Sequence, residues 1–104
     1  MTNDQLTVLL AKGVMGWGIG TDRFMTGAHH WTPRWRFQPA ERLDDAFRLL
    51  EAAHPQSYII SGDEKGDVRV CVHIAGSEGE AQGTSCALAI TRAVACAIGI
   101  ELEP

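Results

Sequence analysis

A chain of 104 residues, 45% apolar and 21% charged, has the size and make-up of one globular domain, which excludes a disordered chain. Its formal net charge of -4 argues against nucleic-acid binding, which draws on a basic face. The three cysteines, Cys71, Cys86 and Cys96, form no CxxC pair and are odd in number, so reduced thiols are expected, with neither a disulfide framework nor structural zinc.

The first predicted element is a helix over residues 4–14. Leu6, Leu9 and Leu10 recur at helical spacing there, Asn3 or Asp4 is placed to cap it, and Gly13, Gly16, Gly18 and Gly20 end it. Trp17 and Ile19 then suggest a short strand, and residues 21–29 read as a loop. Residues 30–37 alternate, with Trp31, Trp35 and Phe37 on one parity and Thr32, Arg34 and Arg36 on the other. An extended segment is expected, confined to an edge by Pro33.

A second helix is expected from Pro39 or Ala40 to Ala53, with Leu43, Ala46, Phe47, Leu50 and Ala53 as its apolar stripe. Tyr58–Ile60 and Val68–Ile74 read as a hairpin around a turn over Ser61–Gly66, and residues 75–83 as a Gly/Glu loop. The last helix runs from Thr84 or Ser85 to Ile98, stopped by Gly99. Only Thr91 and Arg92 are polar between Cys86 and Ile98, so this helix is buried on more than one side, by the rest of the chain or by a second copy; a homo-oligomer is expected. No apolar run is long enough to span a bilayer, and no basic segment precedes the short run from Leu6 to Ala11, so a cytoplasmic protein without a membrane segment or secretion signal is expected.

The densest chemistry lies between Arg23 and Arg36. Arg23, His29, His30, Arg34 and Arg36 occur there without one Asp or Glu, interleaved with Phe24, Trp31 and Trp35. Guanidinium groups offer forked donors to phosphate or carboxylate, and indoles offer stacking faces. Arg34 and Arg36 are the preferred anion ligands, because Arg42 and Arg48 have Asp44, Asp45 and Glu51 close by on the second helix. Trp31 or Trp35 would stack on a planar group, with Trp17 and His30 nearby. Trp17 has a simpler reading as core filler beside a tight turn, and adjacent His29 and His30 point apart in an extended chain, which makes them a poor chelate. Cys71 and His73 share one strand face, but residues two apart on a strand stand roughly 7 Å apart, beyond hydrogen-bond reach. A catalytic pair is therefore kept only in reserve, and no enzyme activity is expected. Asp63, Glu64, Gly66 and Asp67 lack the EF-hand spacing and read as a hairpin turn.

Several short runs resemble the phage ABA sandwich domain family along almost the whole chain. They are Val14-Met15-Gly16-Trp17 after the first helix, Phe37-Gln38-Pro39 before the second, Asp45-Ala46-Phe47 with Glu51 within it, and Thr84-Ser85-Cys86-Ala87-Leu88-Ala89-Ile90 opening the last. Phe47 stands where that family usually has Trp, and Thr91 where it has Cys. The resemblance implies a small α+β sandwich from a phage or prophage: a single domain over 1–104, with a small antiparallel sheet packed with three helices. It assigns no catalytic residues and no cofactor. By analogy with small phage proteins that act on host defence, the expected function is to bind, and by binding sequester, a small anionic, nucleotide-like molecule in the host cytoplasm. The alternative is a non-enzymatic module that inhibits or scaffolds a host or phage protein.

Overall fold

The computed structural model describes residues 2–62 and 64–100. Its elements in chain order are α1 (Asn3–Gly13), β1 (Gly18–Ile19), β2 (Arg23–Gly27), β3 (His30–Pro33), a 3-10 turn (Arg34–Arg36), α2 (Leu43–Ala52), β4 (Ser57–Gly62), β5 (Val68–Ile74), β6 (Ser77–Gly83) and α3 (Cys86–Ala97). Two antiparallel three-stranded sheets result, ordered β1-β2-β3 and β4-β5-β6. The α+β sandwich with three helices is as the sequence implied, but with two sheets rather than one. Asp63 of the β4–β5 turn lies outside the described residues.

Helix α1 begins at Asn3, one residue earlier than expected, so its cap is Thr2 rather than Asn3 or Asp4. The Thr2 hydroxyl accepts from the Gln5 amide at 3.1 Å while the Thr2 amide donates to Gln5 Oε1 at 2.9 Å, a reciprocal capping box. Leu6, Leu10 and Ala11 are buried, whereas Leu9 faces outward. Helix α2 begins three or four residues later than expected. Residues 38–42 instead form a turn, with the Glu41 and Arg42 amides donating to the Gln38 carbonyl. The buried Asp45 carboxylate accepts from the Gln38 amide at 3.0 Å and ties that turn to the helix. Leu43 at the helix start is consequently exposed.

Helix α3 lies across β5 and β6 and packs against α2 on another side. Its burial is thus achieved within the chain, so its all-round apolarity requires no second copy. The buried Thr91 hydroxyl is satisfied by the Ala87 carbonyl at 2.8 Å. Strand β5 behaves as its alternation predicts: Val70, Val72 and Ile74 are buried and Arg69, Cys71 and His73 occupy the other face.

Residues 77–83, expected to be a loop, are strand β6. Its inner face is Gly79, Ala81 and Gly83, and its outer face Glu78, Glu80 and Gln82. No β-branched or aromatic residue announces the strand, because the inner face is made small for α3 to lie against. A Cβ on Gly79 would collide with the Ala93 carbonyl and the Ala97 backbone, and one on Gly83 would stand 3.3 Å from the Ala89 amide nitrogen. The β5–β6 connection is a two-residue turn between Ile74 and Ser77, with φ of 51° at Ala75 and 83° at Gly76. Positive φ at both positions is what primed hairpin turns demand.

Residues 21–29 also differ from expectation: β2 pairs with β1 and β3 there, Ile19 opposite Phe24 and Met25 opposite Trp31. Only Phe24 is buried in that strand, which left too weak a pattern to read.

The Gly79 approach can be tested directly. Gly79→Ala is expected to destabilise by about 3 kcal/mol or more through forced overpacking. Gly13→Ala, where a Cβ meets nothing closer than Ile98 Cδ1 at 3.7 Å, is expected to be neutral or stabilising by up to ~1 kcal/mol. Urea denaturation of the two variants measures both.

Candidate functional site

Pro33 sets the geometry of the arginine and tryptophan cluster. It ends β3, since it has no amide to donate, and the next three residues wind into the 3-10 turn, whose Arg34 carbonyl accepts from the Phe37 amide at 3.2 Å. A turn with three residues per cycle cancels the two-residue parity expected for 30–37. Trp35 is 62% exposed while Phe37, on the same parity, is 1% exposed.

The aromatic residues divide accordingly. Trp17, Phe24 and Phe37 form a buried trio, with ring centroids 5.7 Å apart for Trp17–Phe24, 5.0 Å for Trp17–Phe37 and 6.1 Å for Phe24–Phe37. Trp17 is therefore a core residue, with the Arg48 guanidinium 5.0 Å from its ring centroid, rather than an accessible stacking wall. Trp31 and Trp35 face solvent, each with a guanidinium over the ring: Arg23 at 4.5 Å from Trp31 and Arg36 at 5.4 Å from Trp35.

A cleft of about 280 Å³ opens between α1 and this segment, lined by Asp4, Thr7 and Val8 of α1 and by Phe24, Arg34, Trp35, Phe37 and Gln38. Arg34 is its fixed cation. Its Nη2 donates to the Gly20 carbonyl at 2.7 Å, and its guanidinium carbon stands 5.7 Å from the Phe24 ring centroid. Its Nε is shielded from solvent and has no hydrogen-bond partner among the described residues.

Of the six residues singled out from the sequence, Arg34 and Trp35 meet at this cleft and Arg36 is stacked on Trp35. Trp31 pairs with Arg23 instead, His30 is exposed at the β2–β3 connection, and Trp17 lies in the core. Asp4, Thr7 and Gln38 were not anticipated, since only folding brings α1 to this segment; their polar side chains on an otherwise apolar helix face and loop were the only signal. Arg23, for its part, is already neutralised. Its Nε lies 3.0 Å from Asp22, whose carboxyl is held below the usual carboxylate range by that hydrogen bond and by the Arg23 charge.

The outer face of the second sheet carries a separate cluster. The Cys71 thiol donates to Glu78 Oε1 at 3.1 Å, and one ligand-type atom from each of Cys71, His73 and Glu78 lies within 4.8 Å of the others. Cys71 and His73 thus bring ligand atoms within 4.8 Å of each other, nearer than the roughly 7 Å spacing of their strand positions. Glu78 arrives through strand pairing, directly opposite His73. The hydrogen bond to Glu78, with burial and the charges of Glu78 and Glu80 behind it, pushes the Cys71 thiol above its ordinary value. That is the opposite of the lowered pKa that activates a nucleophilic cysteine.

An α+β sandwich with two small antiparallel sheets, carrying an arginine-floored cleft at one of them, defines a compact single-domain class. The profile of the phage ABA sandwich domain matches residues 8–94, and the chain belongs to that family. The crystal structure of a phage protein from Bacillus cereus ATCC 14579 is similar to it, with a TM-score of 0.80 at 17% sequence identity over 99% of this chain and 93% of that one. No curated protein matches the chain. Among the described residues, no helix is long and apolar enough to cross a membrane.

The raised thiol gives a testable consequence. The folded thiol holds its proton more tightly than the unfolded one, so this contribution to stability is complete below the unfolded thiol's titration range and is lost as pH rises through the folded value. At mildly alkaline pH, alkylation of Cys71 is expected to be slower than that of the exposed Cys96. Glu78→Gln is expected to accelerate Cys71 several-fold and leave Cys96 unchanged, as read by peptide mass spectrometry.

Proposed function

We propose that this phage protein is a non-enzymatic binder of a small, planar, anionic molecule of nucleotide type, held in the cleft between α1 and the 3-10 turn. The observation that carries the reading is Arg34. A guanidinium that lines the cleft and is fixed by a backbone carbonyl and an aromatic face is positioned in advance for an anion. Trp35 at the rim supplies a stacking face, and Arg36 above it adds a second cation. Asp4, Thr7 and Gln38 supply acceptors and donors suited to the polar edge of a base. The volume is near the lower end for small-molecule sites, which favours a ligand of mononucleotide size. A phage protein with such a site would withhold a signalling nucleotide from host defence in the host cytoplasm.

The second reading is a protein-interaction module. Trp31, Trp35, Met25 and Ile19 are large apolar side chains exposed on or beside the first sheet, and such a surface fits a protein partner.

The two readings part in one experiment. Nucleoside mono- and diphosphates and cyclic nucleotides are titrated while tryptophan fluorescence and melting temperature are followed, and denatured protein is assayed for released small molecules. Binding is expected to fall by about tenfold or more in Arg34→Ala and in Trp35→Ala, equivalent to ~1.4 kcal/mol or more. Binding that survives Arg34→Ala refutes the cleft. No bound or released small molecule, together with capture of a protein that requires Trp31 and Trp35, replaces the first reading with the second.

A further inference from the structure

Among the described residues, one group unites three metal-ligand side chains, and it lies apart from the arginine cleft, on the other sheet. Cys71 and His73 alternate onto the outer face of β5, and Glu78 of β6 stands directly across from His73. All three project from a face that α3 does not cover, on a hairpin whose two-residue turn fixes the register.

We infer that Cys71, His73 and Glu78 form a three-ligand site for Zn²⁺, with the fourth position open to water or to a ligand atom. The donor set is one thiolate, one imidazole and one carboxylate, the mixture of sulfur, nitrogen and oxygen that zinc accepts. The spacing is close to what the ion requires. Zinc–ligand bonds of about 2.0–2.3 Å at tetrahedral angles place ligand atoms roughly 3.4–3.6 Å apart. Here the Cys71 sulfur and the Glu78 oxygen are 3.1 Å apart, and all three atoms fall within 4.8 Å. Rotation about exposed side-chain bonds closes the remainder, since His73 and Glu78 are exposed and Cys71 half-buried.

The second ring of charges is balanced, so the ligands themselves supply the negative charge that the ion needs. Glu80 lies across from Cys71 and adds a second carboxylate to the face, while its partner Arg69, at 3.4 Å, lies two residues along β5 from Cys71. On binding, the Cys71 proton now shared with Glu78 leaves to solvent, and a sulfur–zinc bond takes the place of the S–H···O hydrogen bond. Three protein ligands and one open position is the arrangement of zinc sites that take an exogenous ligand, as opposed to closed four-ligand structural sites.

The test uses the full chain after treatment with a chelator and a reductant. Zn²⁺ is titrated by competition with a chromogenic chelator, and Co²⁺ is added separately as a spectroscopic substitute. One equivalent of Zn²⁺ is expected to bind, with a thiolate-to-cobalt charge-transfer band in the Co²⁺ spectrum. Cys71→Ser is expected to abolish that band, and Cys71→Ser, His73→Ala and Glu78→Gln each to weaken Zn²⁺ binding by at least about tenfold. Cys96→Ser serves as the control and is expected to keep both the band and the affinity. Circular dichroism confirms that each variant is folded; all three sites are on the uncovered sheet face, so none removes core packing. A spectrum without the charge-transfer band, or Zn²⁺ affinity unchanged in Cys71→Ser, overturns the site. Binding that is instead lost when His29 and His30 are replaced by alanine overturns it as well.

Discussion

The close seating of α3 on β6 is the constraint on which the second sheet depends. Gly79 and Gly83 present bare backbone to a helix face rich in alanine, so helix and strand approach more closely than larger side chains allow. The inner faces of β5 and β6 pack against that one helix. The outer face carries Arg69, Cys71 and His73 of β5, Glu78, Glu80 and Gln82 of β6, and Ser57, Ser61 and the exposed Ile59 of β4. A three-stranded sheet fastened from one side is a firm platform on which polar side chains on the other side keep fixed relative positions, as a ligand cluster needs.

The first sheet solves a different problem. Its strands are short, and its core consists of three rings, Trp17, Phe24 and Phe37, meeting tilted or edge to face. Phe37 reaches that cluster only because the chain winds through a 3-10 turn after Pro33. The same turn throws Trp35 outward and leaves Arg34 against Phe24. Burial of one ring and exposure of the next are therefore a single backbone event, and the cleft is its by-product.

The legible parts of the sequence were those where one period dominates. The alternation of Val68 to Ile74 fixed both faces of β5, and the apolar run from Cys86 to Ile98 announced a buried helix. Arg34 and Trp35 were visible as residue types in an acid-free stretch. Their neighbours Asp4, Thr7 and Gln38 were not, because α1 joins them only through tertiary packing. Strand β6 was illegible for a physical reason: close packing selects glycine and alanine, which carry no strand propensity. Strand pairing likewise hid Glu78 from Cys71 and His73, since the sequence shows their separation along the chain and not their diagonal across the hairpin.

The proposed anion site sits in a chain of net charge -4, so what matters for it is how the charges are distributed. At physiological ionic strength fields fade over ~8 Å, so a small ligand inside the cleft responds to the groups that touch it and a long polyanion responds to the whole surface. Arg23 is matched by Asp22 and contributes little field, whereas Arg34 is held by a neutral carbonyl and a ring, with the charge of Asp22 acting on it and Asp4 in the same cleft lining. In the proposed reading, the acidic balance of the chain disfavours nucleic-acid strands, while Arg34 acts on a small anion at contact distance. The proposed preference for a small anion over a large one rests on where the charges stand, not on their sum.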